Sequence, residues 1–142
     1  VIFNITRTDF DTTRAINTMV GKPFGLLARL KTGRIGSEPF IIEQSSPEFE
    51  VNYDVKEYDR TCVLERRPHG IMLHFRIKFS LYVWVIPFTE LTILQNGTDV
   101  RVENRELNMQ LRPRVKTKKP SAFVQVLIAQ KSLVADSSRN HY

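Results

Sequence analysis

From Ile71 to Phe79 the apolar residues Leu73, Phe75, Ile77 and Phe79 alternate with Met72, His74, Arg76 and Lys78. A period of two places successive side chains on opposite faces of an extended chain, so the segment reads as a strand with one face buried. The alternate charges also make this apolar stretch costly as a membrane span. Leu81 to Ile86 continues in the same character, and Pro87 ends it, because proline has no N–H to give a central ladder.

The pattern extends to both sides. Phe40 to Gln44 and Arg60 to Arg67 read as strands, and Pro68-His69-Gly70 supplies turn chemistry before Ile71. Leu26 to Lys31 reads as a strand set apart from Phe40 by a turn over Thr32 to Pro39. Glu48 to Val55 is the cleanest alternation, with Phe49, Val51, Tyr53 and Val55 against Glu48, Glu50, Asn52 and Asp54. Thr89 to Leu94 and Asp99 to Glu103 flank Asn96-Gly97, a hairpin turn pair, and Glu106 to Leu111 makes a further strand.

Two segments carry helical signals. Thr8 to Val20 has Thr8 as N-cap, Asp9 and Asp11 in the first turn, and Phe10, Ile16, Met19 and Val20 on one side. After Pro120 and Ser121, the residues Phe123, Val124, Leu127, Ile128 and Leu133 form an apolar stripe opposite Gln125, Gln130 and Lys131. Asp136 to Tyr142 reads as a polar, flexible tail. The 142 residues hold no repeat and no dividing linker, so residues 1–142 are expected to form a single domain around one core. The expected core is Phe49, Val51, Tyr53, Val63, Leu73, Phe75, Ile77, Val83, Val85, Leu91 and Ile93 with Phe123, Leu127 and Ile128. The fold class is α+β, mainly β: a strongly bent antiparallel sheet or partly open barrel with a C-terminal amphipathic helix.

Strands followed by a terminal helix resemble the pleckstrin-homology-like (PH-like) superfold, over roughly residues 61 to 135. Ile86-Pro87-Phe88-Thr89-Glu90-Leu91 is similar to a step found after a strand in the bacterial members. Most members of that superfold bind things other than phosphoinositides or have no known ligand, so the resemblance does not by itself fix a function. Lipid-binding members of the eukaryotic family carry a lysine followed at a distance by basic-x-arginine. Lys22 with Arg29-Leu30-Lys31 is similar in spacing but ends in lysine, which lacks arginine's planar fork for phosphate.

The residues name no chemistry. Nucleophile-elbow, zinc-protease, Walker and dinucleotide-binding patterns are missing, so no catalytic, metal or cofactor-binding residue is assigned and no cofactor is expected. Gly33-Arg34-Ile35-Gly36-Ser37 reads as a turn rather than an anion cradle. Cys62, the single cysteine, reads as a small buried hydrophobe, and His69, His74 and His141 are scattered. Tyr82 and Trp84 read as core residues more than base-stacking ones.

The net charge of +6 is uneven: residues 1–59 carry −2 and residues 60–142 carry +8. Much of the excess lies in Arg112, Arg114, Lys116, Lys118 and Lys119, where cations recur at alternate positions. In an extended chain the first four project from one side and suit an anionic surface. The reading that follows is a non-enzymatic binding module whose partner is a protein or an anionic membrane surface, with nucleic acid ranked below both. The alternative is a small enzyme using the acidic row Glu48, Glu50 and Asp54, with Arg60 or Arg66. Cytoplasmic localisation is favoured by the lack of a signal or membrane span and by the single cysteine. Oligomeric state is not encoded in any pattern read here.

Overall fold

The computed structural model describes residues 1–7, 9–25, 34–46, 60–77 and 79–139, with the side chains of 136–139 excepted. The elements in chain order are β1 (Ile2–Asn4), α1 (Phe10–Val20), β2 (Phe40–Ser45), β3 (Thr61–Arg67), β4 (Gly70–Ile77), β5 (Ser80–Pro87), β6 (Thr92–Asn96), β7 (Asp99–Glu103), β8 (Asn108–Pro113) and α2 (Ala122–Arg139). One antiparallel sheet orders the strands β1-β5-β4-β3-β2-β8-β7-β6. The fold is therefore α+β and mainly β, with an open sheet rather than a barrel.

Three tight turns follow from local chemistry. Arg67 pairs with Gly70 across Pro68-His69, and Ile77 pairs with Ser80, which resolves how the chain reverses after Phe79. Phe79 itself sits in that reversal at 95% exposure, so the alternation that predicted an inward ring stops at Ile77. Asn96 pairs with Asp99, which moves the expected turn one residue on: Gly97, at φ +61°, and Thr98 form it, because glycine occupies the left-handed region freely.

The sheet curls around α2. Trp84 and Ile86 from β5 and Ile93 from the far edge strand β6 meet in one cluster with Phe123, Val124 and Leu127, a meeting a flat eight-stranded sheet forbids. The corner lies at β2. Among the described residues that strand pairs with β3 through Phe40–Cys62 and Ile41–Thr61, while its pairing with β8 is interrupted by a register shift between Ile42 and Gln44. Such bulges bend a strand and raise its local twist. Residues 35–37, expected as a turn, instead extend the pairing along β3: Ser37 donates to the Leu64 carbonyl and Arg66 to the Ile35 carbonyl, each at 2.8 Å.

The opposite face of β4 and β5 is covered by α1. Ile16 and Val20 pack with Met72, Val83 and Val85, so Met72, expected to face solvent, is buried. Gly70 makes this close approach possible, since a Cβ there would collide with the Ile86 carbonyl and the Val20 side chain. The helix begins one residue later than expected. Asp9 caps it, accepting from the Thr12 N–H at 2.7 Å, while Thr8 lies outside the described residues. Phe10 points away, at 77% exposure.

The remaining differences have equally local causes. Val63 is half-buried because it faces the side that α1 leaves partly uncovered. Ile77 and Ile128 pack at the margin of the main cluster. β8 begins at Asn108, since Asn104 first turns the chain by accepting from the Glu106 and Leu107 N–H groups. Leu133 is exposed, on the side of α2 away from the core that Val134 still joins, and the helix continues to Arg139 through the stretch expected as tail. The expected strands Leu26 to Lys31 and Glu48 to Val55 lie outside the described residues, and with them Phe49, Val51 and Tyr53.

Candidate functional site: the β8–α2 connection

β8 ends at Pro113, and an irregular stretch leads to α2. Proline at each end of the connection, Pro113 and Pro120, disfavours both a continued ladder and an early helix start. The chain is held at three points. The Arg114 N–H donates to the Pro39 carbonyl at 3.1 Å, and the Lys119 N–H to Thr117 Oγ1 at 3.3 Å. Ser121 opens α2: its Oγ accepts from the Val124 N–H at 3.2 Å, its carbonyl accepts from the Gln125 N–H, and its hydroxyl donates to the Glu38 carboxylate.

The connection bends instead of extending, yet its alternation persists. Arg112, Arg114 and Lys116 line one cleft of about 400 Å³ together with Thr98, Asp99 and Thr117. On the other side Val115 and Lys119 border a pocket of about 280 Å³, walled by Pro39, Pro113, Pro120 and Ala122. Lys118 borders neither and is exposed. Of the five expected cations, three thus border the cleft, one borders the pocket and one lies at neither. Arg112 also pairs with Glu43 at 3.2 Å, which ties it to β2. Arg114, Lys116, Lys118 and Lys119 are exposed, and among the described residues none of them has a carboxylate within ion-pair distance.

A second polar constellation lies under α1, where the sequence reading named only His74 and Arg66. Arg67 is buried at 7% exposure and pairs with Glu65, while its Nη1 donates to Asn17 Oδ1 at 3.0 Å and to the Gly21 carbonyl at 2.9 Å. His74 Nε2 is 3.0 Å from the other Glu65 oxygen. Burial pushes the Glu65 carboxyl up, but hydrogen bonds from His74 and Arg67, with their charges, outweigh it and hold it below the usual glutamate range. Arg66 points to the opposite face. Its Nε donates to the Arg34 carbonyl at 3.0 Å, its guanidinium lies 5.6 Å from the Phe24 ring centroid, and Nη1 reaches Gln130 Oε1 at 3.4 Å. Gln130, expected to face solvent, also donates to the Arg67 carbonyl at 3.0 Å. These groups are spent on docking α1 and α2 to β3. Their signal was two adjacent arginines in a strand covered on both faces, each of which then needs buried acceptors.

The other candidates resolve individually. Cys62 is fully buried, and burial pushes its thiol up, away from nucleophilic use. Trp84 is a core residue, and Tyr82 stacks on Phe75 with ring centroids 5.6 Å apart. Gly36 bridges to Glu65 as part of the extension along β3. Lys22 is exposed, whereas Arg29, Lys31, His141 and the acidic row Glu48, Glu50 and Asp54 lie outside the described residues. Among the described residues, no three His, Cys, Asp or Glu side chains are grouped so as to hold a metal ion, and no helix is long and apolar enough to cross a membrane. No family model matches the chain, and neither do the curated proteins or the solved structures.

Proposed function

We propose that this chain is a non-enzymatic binding module on a PH-like frame, which recognises an anionic partner through the β8–α2 connection. The observation that carries the reading is the set of exposed cations Arg114, Lys116, Lys118 and Lys119, which have no carboxylate partner among the described residues. Solvated lysines scattered over a surface would not share one short segment, nor would they border two concavities. The curled sheet with α2 packed inside it supports the PH-like frame. So does the place of Ile86-Pro87-Phe88-Thr89-Glu90-Leu91: Pro87 closes β5, and Phe88 and Leu91 turn inward to the core.

The test is binding of the protein to two anionic probes at low salt, phosphatidylserine vesicles and polyglutamate. Replacing Arg114, Lys116, Lys118 and Lys119 together with glutamine should weaken capture at least tenfold, since each such cation contributes up to about 1 kcal/mol near an anionic surface. Arg112 is left in place because it holds Glu43. Raising ionic strength to the physiological range, where the screening length is about 8 Å, should weaken the wild type in parallel. A wild-type protein that captures neither probe at low salt removes this reading.

A further inference from the structure

The two sides of the connection differ in kind, and the difference bears on what the anionic partner is. One side is cationic. There Arg112, Arg114 and Lys116 border the cleft of about 400 Å³, with Asp99 as the single carboxylate among the described residues bordering it. The other side is largely apolar: Pro39, Pro113, Val115, Pro120 and Ala122 wall the pocket of about 280 Å³. The carboxylate of Glu38 borders this pocket too, but it accepts the Ser121 hydroxyl, and Lys119 stands at the same rim. The pocket and the cleft share Pro113 and Thr117, so a single short ligand can reach both.

We infer that this surface takes an acidic peptide segment anchored by one apolar side chain, the carboxylates lying along Arg114 and Lys116 in the cleft and the anchor entering the proline-walled pocket. The inference rests on the anionic-partner reading above and narrows it. Three observations choose a peptide. The apolar element is a concavity of a size that accepts one large side chain, and Val115, 69% exposed, is the single large apolar side chain among the described residues standing out at its border, whereas a bilayer is entered by several apolar groups that protrude together. None of the described residues bordering cleft or pocket is aromatic, so none of them stacks a nucleic-acid base. Carboxylates flanking an anchor match the unpaired cations by charge, and the anchor displaces water from a pocket no side chain of the described residues fills.

The probes are two labelled peptides, one with a central leucine flanked by glutamates and one with serine in place of that leucine. Phosphatidylserine vesicles and a single-stranded oligonucleotide serve as competitors. The leucine peptide should bind about tenfold more tightly than the serine peptide, the worth of burying most of one leucine side chain. Ala122→Gln, at an exposed position, puts a longer polar side chain at the pocket and should erase that preference. Arg114→Gln with Lys116→Gln should weaken both peptides alike. Equal binding of the two peptides to the wild type overturns the anchor and leaves the anionic reading standing. Vesicle or oligonucleotide binding without peptide binding does the same, assigning the cations to that other surface. If no anionic probe binds, the broader reading fails along with this one.

Discussion

Replacing Leu127 with alanine is expected to lower the free energy of unfolding by about 3 to 5 kcal/mol, the range for a fully buried leucine whose site cannot collapse. Leu127 is completely buried in the cluster that gathers side chains from β2 through β8. The sheet's curl is fixed by its ladders, so the wall around Leu127 cannot move inward to fill the space, and the cavity persists. The readout is a fall in the denaturant midpoint at unchanged slope. Leu133→Ala on the same helix is the control: at 68% exposure it should stay within about 0.5 kcal/mol. An unchanged midpoint for Leu127→Ala would mean that α2 is an appendage and that the sheet is stable without it.

Arg67→Ala is expected to cost about 3 to 5 kcal/mol, for a different reason. The guanidinium serves Glu65, Asn17 and the Gly21 carbonyl at once, and its loss leaves a largely buried carboxylate without its nearer cation and two acceptors without a donor. Arg67→Lys should recover little, because one ammonium cannot span three acceptors arranged around a planar fork. A loss under about 1 kcal/mol for Arg67→Ala would show that α1 is held by its apolar residues alone. The same cluster fixes the sign of an acid response. Because the folded-state Glu65 carboxyl lies below its ordinary range, its contribution is present in full above the unfolded value. That contribution is lost as pH falls through the folded one. Glu65→Gln should therefore flatten the acid limb of the stability profile, and an unaltered limb would assign acid sensitivity elsewhere.

Period-two alternation made much of the sheet legible. Leu73, Phe75, Leu91 and Ile93 are where their spacing put them, because a half-buried strand has a simple inside and outside. The rule failed where both faces are covered. Met72 reads as an outward residue, and only the packing of a helix from the chain's other end buries it, which no local pattern encodes. Asp9 against Thr8 as the cap is an ambiguity between two residues that both accept N–H bonds well. At the candidate site, sequence identified the cations but not their division. Alternation placed Arg112, Arg114 and Lys116 together, while the pocket on the far side exists only because Pro39 arrives from β2 and Ala122 from α2.

The place of β2 between β3 and β8 sets an order of assembly. β3, β4 and β5 meet through successive short turns, and so do β6, β7 and β8, so each trio forms from neighbours in sequence. β2 joins the trios by pairing Phe40 with Cys62 on one side and with Pro113 on the other, and the second pairing closes a long loop of chain. Its conformational entropy is lost before any contact repays it, so such a closure comes late. Ile42, buried on β2, reports the timing: Ile42→Val should speed unfolding and leave refolding almost untouched, whereas slowed refolding would place β2 in the nucleus. Until that strand seats, the two trios share no ladder, and the chain is two half-sheets waiting for a seam.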